Sequence, residues 1–344
     1  MKAAVIHNHG GLDAVKVENI ASPKGEDNEV ILQVRSAALN HLDIWVRNGG
    51  RNPAVQVPHI LGSDAAGTVI AVGAKVQSIN VGDEVILNPA LYCWRCEQCI
   101  AGQHSQCESF GIIGLSRPGT FAAQVAVPSY TIWPKPPHLD FDEAAALPLA
   151  YVTAWRMLFT RAKLLPGETV LIHGIGGGVA LAALQFAKLA GAEVITTSSS
   201  DEKLSKAGKL GADHTINYKT AGDVAKAVRD VTKGRGVDIV FDTVGANTWE
   251  TDFAAVKKGG RIVLCGVTSG AKTETNLQNL YWRQMTVFGS TMGSSGDFQQ
   301  MLKTVNAAKL KPVIDSVHSL DDVQKAMGRM EKGQQFGKIV LKIS

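Results

Sequence analysis

The feature that most constrains the fold is a regular alternation of apolar strands and helices between residues 168 and 265. Strands are predicted at residues 168–173 (ETVLIH), 193–197 (EVITT), 237–242 (VDIVFD) and 260–265 (GRIVLC), with helical segments between them. Strands that are apolar along their whole length are buried on both faces, as in a parallel sheet covered by helices. We therefore expect a doubly wound α/β domain in this part of the chain.

The N-terminal part of the chain has a different character. Residues 1–125 are β-rich, and no helical periodicity of useful length interrupts them. Strands are predicted there at residues 29–34, 65–72 and 83–87, separated by Gly, Pro and Asn turns. Because 344 residues exceed the usual size of a single hydrophobic core, two domains are expected.

The composition excludes several classes of protein. Hydrophobic residues make up 45% and charged residues 19%, which is typical of a folded globular chain. The formal charge of +4 is spread along the sequence without a basic run, which argues against a nucleic-acid partner. No stretch reaches the ~20 apolar residues of a membrane helix, and residues 1–6 turn polar at His7 before a secretion signal forms. We expect a cytoplasmic protein without a membrane partner.

A glycine-rich segment joins the first strand of the alternation to the first helix. Its spacing is Gly174-x-x-Gly177-x-x-Ala180, with Gly178 and Val179 opening the helix. Glycines let a backbone approach phosphates, and a helix N-terminus offers them N–H groups and a partial positive charge. Such a segment can also be a simple tight turn. Its place in a βαβ succession nevertheless predicts a dinucleotide-binding loop.

The end of the second strand discriminates between the two nicotinamide cofactors. A site for NAD(H) places Asp or Glu there, about 20 residues past the loop, to bind the ribose 2′-hydroxyl. This chain has Ser198 and Ser199, with Lys203 one turn later, and these groups suit a 2′-phosphate. Asp201 falls where it would cap the next helix. We predict NADP(H); the alternative is a serine-rich turn beside a solvated lysine.

Four of the five cysteines lie close together, as Cys93-x-x-Cys96-x-x-Cys99-x7-Cys107. This spacing supplies the four soft ligands of a tetrahedral zinc site, and the polar residues between them disfavour a buried apolar cluster. An iron–sulfur cluster is the competing interpretation. Four thiolates leave no open coordination position, so we predict one structural zinc ion per chain. Cys265 ends a predicted strand and is expected to be a small core residue.

Together these features resemble the medium-chain dehydrogenase/reductase superfamily along the whole chain. The specific marks are the four-cysteine segment, the glycine loop, and the motifs at residues 38–43 (ALNHLD), 61–67 (LGSDAAG) and 336–341 (FGKIVL). The resemblance implies an α/β protein with a GroES-like, β-rich catalytic domain formed by residues 1–149 and 293–344. It also implies a Rossmann cofactor domain, a doubly wound parallel sheet, at residues 150–292, and a small-molecule substrate.

The resemblance breaks down at one set of positions. The zinc alcohol dehydrogenases of this family hold a second, catalytic zinc through a Cys, a His beside a Glu, and a further Cys. The matching positions here are Asn40, Ser63 beside Asp64, and Leu149, and the family's proton-relay hydroxyl falls at Leu42. Asn, Ser and Leu supply neither a thiolate nor an imidazole. The Asn-x-x-Asp pattern resembles the quinone-reductase branch, which works without a catalytic metal but usually lacks the four-cysteine segment.

The candidate catalytic residues are Asn40, Asp43 and Asp64. Asn40 is expected to face the nicotinamide and to hydrogen-bond a substrate carbonyl; the alternative is an asparagine that stabilises a turn. Asp43 stands four residues before Arg47, so an internal ion pair competes with a catalytic role. Asp64 is either a structural residue or the partner of a cationic group at the floor of the cleft.

The resemblance also assigns residues to the cofactor and suggests an assembly. Thr153 resembles the family residue that contacts the nicotinamide, and Tyr218 resembles a tyrosine beside the adenosine phosphate. We assign Lys338, in the closing motif, to the cofactor as well. The apolar segment at residues 282–292 (WRQMTVFGSTM) predicts an exposed edge strand, from which we expect a homodimer or homotetramer.

Three functions are consistent with these residues. The first is hydride transfer from NADPH to an electron-poor acceptor, such as a quinone, an enone or another conjugated carbonyl, without a catalytic zinc. The second is a zinc alcohol dehydrogenase with unusual ligands drawn from His41, His59, Asp43 and Asp64. Both histidines have an alternative role as surface or satisfied core residues. The third function is a non-catalytic, NADPH-binding redox sensor.

Overall fold

The computed structural model describes residues 1–50 and 55–343, which divide into two compact units. The first unit comprises Met1–Val152 and Gly293–Ser344, and the second comprises Thr153–Met292. Each unit has its own cluster of buried apolar side chains. Within the described ranges, no helix is both long enough and apolar enough to cross a bilayer.

Strands make up most of the first unit and form the centre of the second. In chain order the strands are β1 (Lys2–Ile6), β2 (Val15–Asn19), β3 (Glu29–Ala38), β4 (His59–Ile60), β5 (Asp64–Val72), β6 (Glu84–Leu87), β7 (Ala90–Leu91), β8 (Gly111–Ile112), β9 (Gln124–Pro128), β10 (Ile132–Pro134), β11 (Thr169–Ile172), β12 (Glu193–Ser198), β13 (His214–Asn217), β14 (Val237–Asp242), β15 (Val256–Leu264), β16 (Thr286–Gly289), β17 (Ile314–Ser319) and β18 (Lys338–Lys342). The α-helices are α1 (His41–Arg47), α2 (Glu97–Ile100), α3 (Phe141–Ala145), α4 (Pro148–Trp155), α5 (Gly178–Leu189), α6 (Asp201–Lys209), α7 (Val224–Val231), α8 (Trp249–Ala255), α9 (Leu277–Trp282), α10 (Ser295–Ala308) and α11 (Val323–Glu331).

One strand, β3, organises the largest sheet of the first unit. It pairs antiparallel with β5, β9 and β18, in a sheet whose order is β10-β6-β5-β3-β18-β17. The C-terminal strand β18 pairs with β3 in the register Val340↔Ala38. Because the two strands run in opposite directions, this register brings Lys338, at the start of β18, close to Asn40, which follows the end of β3.

The short helix α1 lies among residues 1–125, where the sequence shows no helical periodicity of useful length. Asn40 precedes α1 in an extended conformation (φ −133°, ψ 156°). Its backbone N–H donates to Asp43 Oδ2 at 2.7 Å, an arrangement that stabilises a helix N-terminus. A helix of seven residues is too short to show a periodicity in the sequence, so it could not be predicted.

The second unit contains an all-parallel sheet in the order β13-β12-β11-β14-β15-β16. Counted from β11, this is the strand order 3-2-1-4-5-6 of a Rossmann fold, with its switch point between β11 and β14. Every residue of β11 and β14 is buried, which explains why these segments are mostly apolar. The predicted α/β class, with a β-rich unit and a doubly wound sheet, is confirmed.

The edge strand of the parallel sheet is shorter than the segment predicted at residues 282–292. Helix α9 begins after Asn276, whose side chain accepts from Asn279 N at 2.9 Å, and ends at Trp282. Strand β16 begins only at Thr286. The predicted position at the sheet edge is correct, but the predicted extent is wrong because its first residue belongs to a capped helix.

Candidate functional site

The Lys338 cluster, formed by Asn40, Asp64 and Lys338, lies inside the first unit. Asn40 follows β3, Asp64 begins β5 opposite Ala38, and Lys338 begins β18. All three side chains are buried, with residue exposures of 8%, 0% and 3% respectively. A buried ammonium group is tolerated only where its charge is matched and its protons are donated, so the partners of Lys338 determine the chemistry of this cluster.

The ammonium group of Lys338 uses its three donors within the cluster. Nζ donates to Leu39 O at 2.8 Å, to Asn40 Oδ1 at 2.6 Å and to Asp64 Oδ2 at 3.0 Å. The charge of Asp64 is thus matched by a cation from the protein itself. The sequence analysis assigns Lys338 to the cofactor; because its donors are engaged here, we reassign it to this cluster.

The side-chain amide of Asn40 is held between the cation and the carboxylate. Oδ1 accepts from Lys338, and Nδ2 donates to Asp64 Oδ2 at 2.9 Å. The second N–H of Nδ2 reaches only Ala38 O, at 3.5 Å, which is the outer limit of a hydrogen bond. An ammonium group bound to the oxygen of an amide polarises it and makes its N–H groups better donors. This weakly held N–H is therefore the donor of the cluster that a ligand engages at the least cost.

Asp43 is a buried carboxyl group that anchors two backbone segments. Its Oδ2 accepts from Asn40 N at 2.7 Å and its Oδ1 from Gly62 N at 3.2 Å. Burial raises the pKa of Asp43 to about 7, against the opposing effects of the Asn40 N–H and the charge of Lys338. The contacts of Asp43 hold Asn40 in place, so its role in the site is to position that residue.

The predicted ion pair between Asp43 and Arg47 is wrong. The guanidinium group of Arg47 instead pairs with Glu331 and donates from Nε to Gly10 O at 3.0 Å. The physical reason lies in the start of α1: the Asp43 carboxyl group turns toward the N-terminus of the helix to accept the N–H groups there. It therefore points away from the residue one turn later in the sequence.

The other positions that match zinc ligands in the family lie beside the Lys338 cluster. Leu149 contributes its backbone N–H, which donates to Asp64 Oδ1 at 2.8 Å. Ser63 is fully buried, and its Oγ has no hydrogen-bond partner within the described residues. These positions supply a carboxylate, a hydroxyl, an amide and a cation. They do not supply the thiolates or imidazole that a catalytic zinc ion needs.

The two histidines near these motifs have different surroundings. His59 is buried in β4, its Nε2 lies 3.0 Å from Gly114 O, and burial lowers its pKa. His41 opens α1 and is half-buried; burial and the charge of Lys338 lower its pKa, so its imidazole is neutral at pH 7. His59 is thus a satisfied core histidine, whereas His41 borders the Lys338 cluster.

Potential metal ligands gather at one place in the part of the chain that the structure describes. The only group there with three or more His, Cys, Asp or Glu side chains at ligand distance consists of the four cysteines. The unusual ligand set considered above, drawn from His41, His59, Asp43 and Asp64, is not brought together. The donor chemistry therefore favours one metal site.

The four cysteines form a compact lobe that fits a zinc ion. The Sγ atoms of Cys93, Cys96, Cys99 and Cys107 lie within 4.8 Å of one another. Cys93 Sγ is 3.9 Å from Cys99 Sγ and 3.5 Å from Cys107 Sγ. A tetrahedral site with Zn–S bonds of ~2.3 Å has sulfur–sulfur edges of about 3.8 Å, so the spacing matches.

Backbone N–H groups around the lobe favour thiolates. Cys96 N donates to Cys93 Sγ, and Cys93 N to Cys107 Sγ, each at 3.4 Å. The backbone N–H groups of Arg95 and Cys96 lower the pKa of Cys93 to about 6. Cys265, by contrast, lies in the second unit, where burial raises the pKa of its thiol to about 12. Cys265 itself is half-buried, at the end of the buried part of β15.

The glycine loop of the second unit leads from β11 into α5. Gly174 has a φ of +67°, a conformation that favours glycine. Gly177 precedes α5 in an extended conformation and has no side chain to cover the helix N-terminus. The N–H groups of Gly178 and Val179 therefore lack intrahelical partners and suit the phosphates of a dinucleotide. The loop fits the pyrophosphate of a nicotinamide cofactor.

The end of β12 carries the residues predicted to bind a 2′-phosphate. Ser198 is the last residue of β12, and Ser199 follows it. Tyr218, which follows β13, donates its backbone N–H to Ser198 O at 3.1 Å, and its side chain is half exposed. The structure thus brings Ser198, Ser199 and Tyr218 to one edge of the sheet, close to the start of the helix that carries Lys203.

The residue that caps the next helix is Ser200, not Asp201 as predicted. Ser200 is extended, and its Oγ accepts from Lys203 N at 3.3 Å. Asp201 is the first residue of α6 and accepts from Asn217 Nδ2 at 2.7 Å. Because the capping position belongs to the last extended residue, the third serine of the segment serves the helix.

Thr153 begins the second unit and is almost fully buried. Its Oγ1 lies 3.9 Å from Met292 Sδ. Sequence reasoning missed two further features: the place of Lys338 beside Asn40, and a buried pair of His173 and Asp252 in the second unit, with Nε2 2.9 Å from Oδ1. The sequence signal for the place of Lys338 is a lysine at the start of the otherwise apolar residues 338–341.

Known proteins resemble this chain over its whole length. Residues 26–137 match the alcohol dehydrogenase GroES-like domain, and residues 178–307 match the zinc-binding dehydrogenase family. A zinc-type alcohol dehydrogenase-like protein of Schizosaccharomyces pombe is 34% identical over 98% of this chain and 98% of its own. A crotonyl-CoA carboxylase/reductase of Cereibacter sphaeroides is 30% identical over 95% of this chain and 83% of its own. The crystal structure of an NAD-dependent alcohol dehydrogenase has a TM-score of 0.96 and 41% identity, covering 100% of both chains.

These similarities agree with the fold and with the residues described above. The GroES-like match covers the cysteine lobe and includes Asn40 and Asp64, and the zinc-binding dehydrogenase match begins at the helix after the glycine loop. Proteins of this kind use a nicotinamide cofactor, and the cysteine lobe fits a zinc ion. This chain is an oxidoreductase that belongs to the medium-chain dehydrogenase/reductase superfamily.

Proposed function

We propose that this oxidoreductase uses NADPH to reduce a conjugated carbonyl compound, such as an enone or a quinone, without a catalytic zinc ion. The observation that carries the proposal is the position of the Lys338 ammonium group, which bonds Asn40 and Asp64 directly. Asn40 matches a ligand position of the family's zinc alcohol dehydrogenases, and Asp64 follows the position of another. A cation supplied by the protein thus occupies the region in which those enzymes hold a metal.

Asn40 is the proposed catalytic residue. NADPH, when bound, supplies a hydride to the carbon β to the carbonyl, and negative charge then develops on the carbonyl oxygen. The weakly held N–H of Asn40, polarised by Lys338 at 2.6 Å from Oδ1, donates to that oxygen. Asp43 and Asp64 hold Asn40 and Lys338 in position, so both are positioning residues.

The preference for NADPH rests on the end of β12. Ser198 and Ser199 offer hydroxyl groups, and Lys203 on α6 offers an ammonium group. Asp201, the nearest carboxylate in the sequence, is engaged by Asn217 at 2.7 Å. These donors favour a phosphate over the free hydroxyl of NAD(H).

The relatives support two substrate classes. Crotonyl-CoA, in the name of one relative, is a conjugated thioester, which agrees with hydride addition at the β carbon. Others are named alcohol dehydrogenases, so oxidation of an alcohol is the second candidate. The donor chemistry around Asn40 favours the first, since a saturated carbonyl without a Lewis acid is harder to reduce.

The test compares two ketones that differ only in conjugation. NADPH oxidation is measured with 2-cyclohexenone and with cyclohexanone, and NADP⁺ reduction is measured with cyclohexanol. Turnover of the enone alone is expected; turnover of cyclohexanone or cyclohexanol at a comparable rate contradicts the proposal. Asn40→Ala is expected to lower kcat/KM for the enone about 100-fold. Asn8→Ala, a change at an exposed asparagine, is the control and leaves kcat/KM unchanged.

A further inference from the structure

A buried group of ionisable side chains lies directly below the glycine loop of the second unit. His173 follows β11 and precedes Gly174, Asp242 ends β14, and Asp252 lies within α8. These three residues are buried, with exposures of 2%, 0% and 0% respectively. Neither the cysteine lobe nor the Lys338 cluster includes them, and the proposed mechanism gives them no part.

His173 links Asp252 to the cofactor loop. Its Nε2 lies 2.9 Å from Asp252 Oδ1, and its Nδ1 lies 3.1 Å from Thr197 Oγ1. The backbone carbonyl of Thr197 accepts the backbone N–H of Ile175, within the loop, at 3.1 Å. The imidazole of His173 therefore lies two contacts away from the backbone of the loop.

Asp242 adds a second carboxylate, whose oxygens already accept hydrogen bonds. It accepts from Val244 N at 2.7 Å, from Gly245 N at 3.1 Å and from Thr248 Oγ1 at 3.1 Å. Three donors hold Asp242 as an acceptor. Asp252 has no such set of donors: neither of its carboxylate oxygens makes a hydrogen bond within the described residues.

Several charged side chains surround α8, and each has its own contacts. The elements packed against α8 are α7, β14 and β15. Lys257 pairs with Asp238 and Arg261 with Glu168, whereas Arg229 donates to Ala254 O and the nearby Arg283 to Phe253 O, both at the end of α8. Lys258, on β15, is exposed. Glu250 on α8 itself is exposed. Burial raises the pKa of Asp252 to about 7; His173 opposes this shift and Asp242 adds to it.

We propose that His173 and Asp252 form a proton-binding pair that couples cofactor binding to the uptake of one proton from solvent. Each proton that the pair binds makes its charge less negative by one. A bound pyrophosphate at the loop adds negative charge nearby and favours the protonated form of the pair. The proton returns to solvent when the cofactor leaves. This inference rests on the proposed cofactor site, but it holds for either nicotinamide cofactor.

The test counts protons by titration calorimetry. NADH is the probe, because the 2′-phosphate of NADPH titrates near pH 6 and adds a proton of its own. The binding enthalpy is measured at pH 7 and fixed ionic strength in buffers of different ionisation enthalpy. The slope of the binding enthalpy against the ionisation enthalpy of the buffer gives the number of protons taken up. We expect about half a proton per NADH. The dissociation constant is expected to rise about tenfold between pH 6 and pH 8.

Two variants on α8 distinguish a proton-binding role of the pair from a purely structural role. Asp252→Asn keeps the shape of the side chain and is expected to abolish both the uptake and the pH dependence. Glu250→Gln, the exposed control, is expected to keep them. If Asp252→Asn fails to fold, His173→Gln is measured in its place with the same expectation. Binding of NADH without proton uptake, or uptake that survives in the Asp252 or His173 variant, overturns the inference. Failure of NADH and NADPH to bind at all overturns the proposed cofactor site instead.

Discussion

The cysteine lobe and the Lys338 cluster are two charged sites in one folded unit, and they obtain their positive charge in different ways. The lobe gathers four thiols whose Sγ atoms lie within 4.8 Å of one another, an arrangement that is stable as thiolates only around a metal ion. The Lys338 cluster gathers a carboxylate and an amide around an ammonium group of the chain, at 3.0 Å and 2.6 Å. One site depends on an ion from solution; the other is complete within the sequence.

This difference separates stability from chemistry. A lobe closed by four sulfur ligands has no position for a substrate, so its metal serves the fold. The Lys338 cluster has a donor, the second N–H of Asn40, that only a distant carbonyl engages at 3.5 Å. We therefore expect changes in the lobe to act on folding, and changes in the cluster to act on both folding and turnover.

The largest effect is expected from breaking the lobe. Cys107→Ser removes one of four thiolates, and structural zinc sites contribute roughly 10 kcal/mol or more to the folding of small zinc domains. Zinc content is expected to fall to near zero, with loss of amide-exchange protection across residues 93–107. The affinity for NADPH, held by the second unit, is expected to remain. Cys265→Ser is the control and retains its zinc; loss of zinc from that variant instead contradicts the assignment.

The second-largest effect is expected from removing the cation of the Lys338 cluster. Lys338→Met leaves the buried carboxylate of Asp64 without its cation, which costs about 3–5 kcal/mol. Lys342→Met, on the exposed end of the same strand, is the control and is expected to change the free energy of unfolding by less than ~0.5 kcal/mol. Urea denaturation measures both. Zinc content is expected to be unchanged in each variant, and its loss from Lys338→Met argues that the two sites are not independent.

Cofactor choice is expected to be independent of both charged sites. Lys203→Ala removes a charge-assisted contact worth ~1.5–3 kcal/mol, so it weakens NADPH binding roughly tenfold to a hundredfold and hardly affects NADH. Lys206→Ala is the matched control, because Lys206 is exposed on the same helix and pairs with Glu202. Ser198→Asp is expected to reverse the preference. The measurement is the dissociation constant of each cofactor for each protein at one ionic strength. Equal affinity of the unmodified protein for NADH and NADPH refutes the preference.

Changes that alter self-association are expected to have the smallest effect on the cysteine lobe and the Lys338 cluster. Leu277, Tyr281 and Trp282 expose 69%, 65% and 71% of their surface on α9, beside the edge strand β16. We propose that this apolar edge forms a homodimer or homotetramer. Light scattering is expected to show an assembly that Trp282→Glu weakens and that Leu189→Glu, an exposed control in α5, leaves intact. A monodisperse monomer at micromolar concentration is the contrary result.

The cysteine lobe and the parallel sheet were predictable because their signals are local. The lobe's ligands fall between Cys93 and Cys107, and the strands of the second unit are buried at successive residues, so each segment carries its own pattern. The strand order and the positions of the glycine loop and Ser198 follow from this alternation.

The Lys338 cluster was not predictable in this way. Asn40 and Lys338 are separated by 298 positions, and only the pairing of β18 with β3 brings them together. The contacts of Asp43 were missed for a related reason, since they depend on a helix of seven residues without a visible periodicity. The pair of His173 and Asp252 likewise depends on how α8 packs against the end of β11.

The most direct test of the central claim is the zinc content of the purified protein. Elemental analysis is expected to give one zinc ion per chain, because one group of four thiols fits the metal and the Lys338 cluster holds an ammonium group instead. Cys107→Ser is expected to reduce this value to zero, and Lys338→Met to leave it at one. Two tightly bound zinc ions per chain, with the second retained in Cys107→Ser, would contradict the account and indicate a metal-dependent alcohol dehydrogenase.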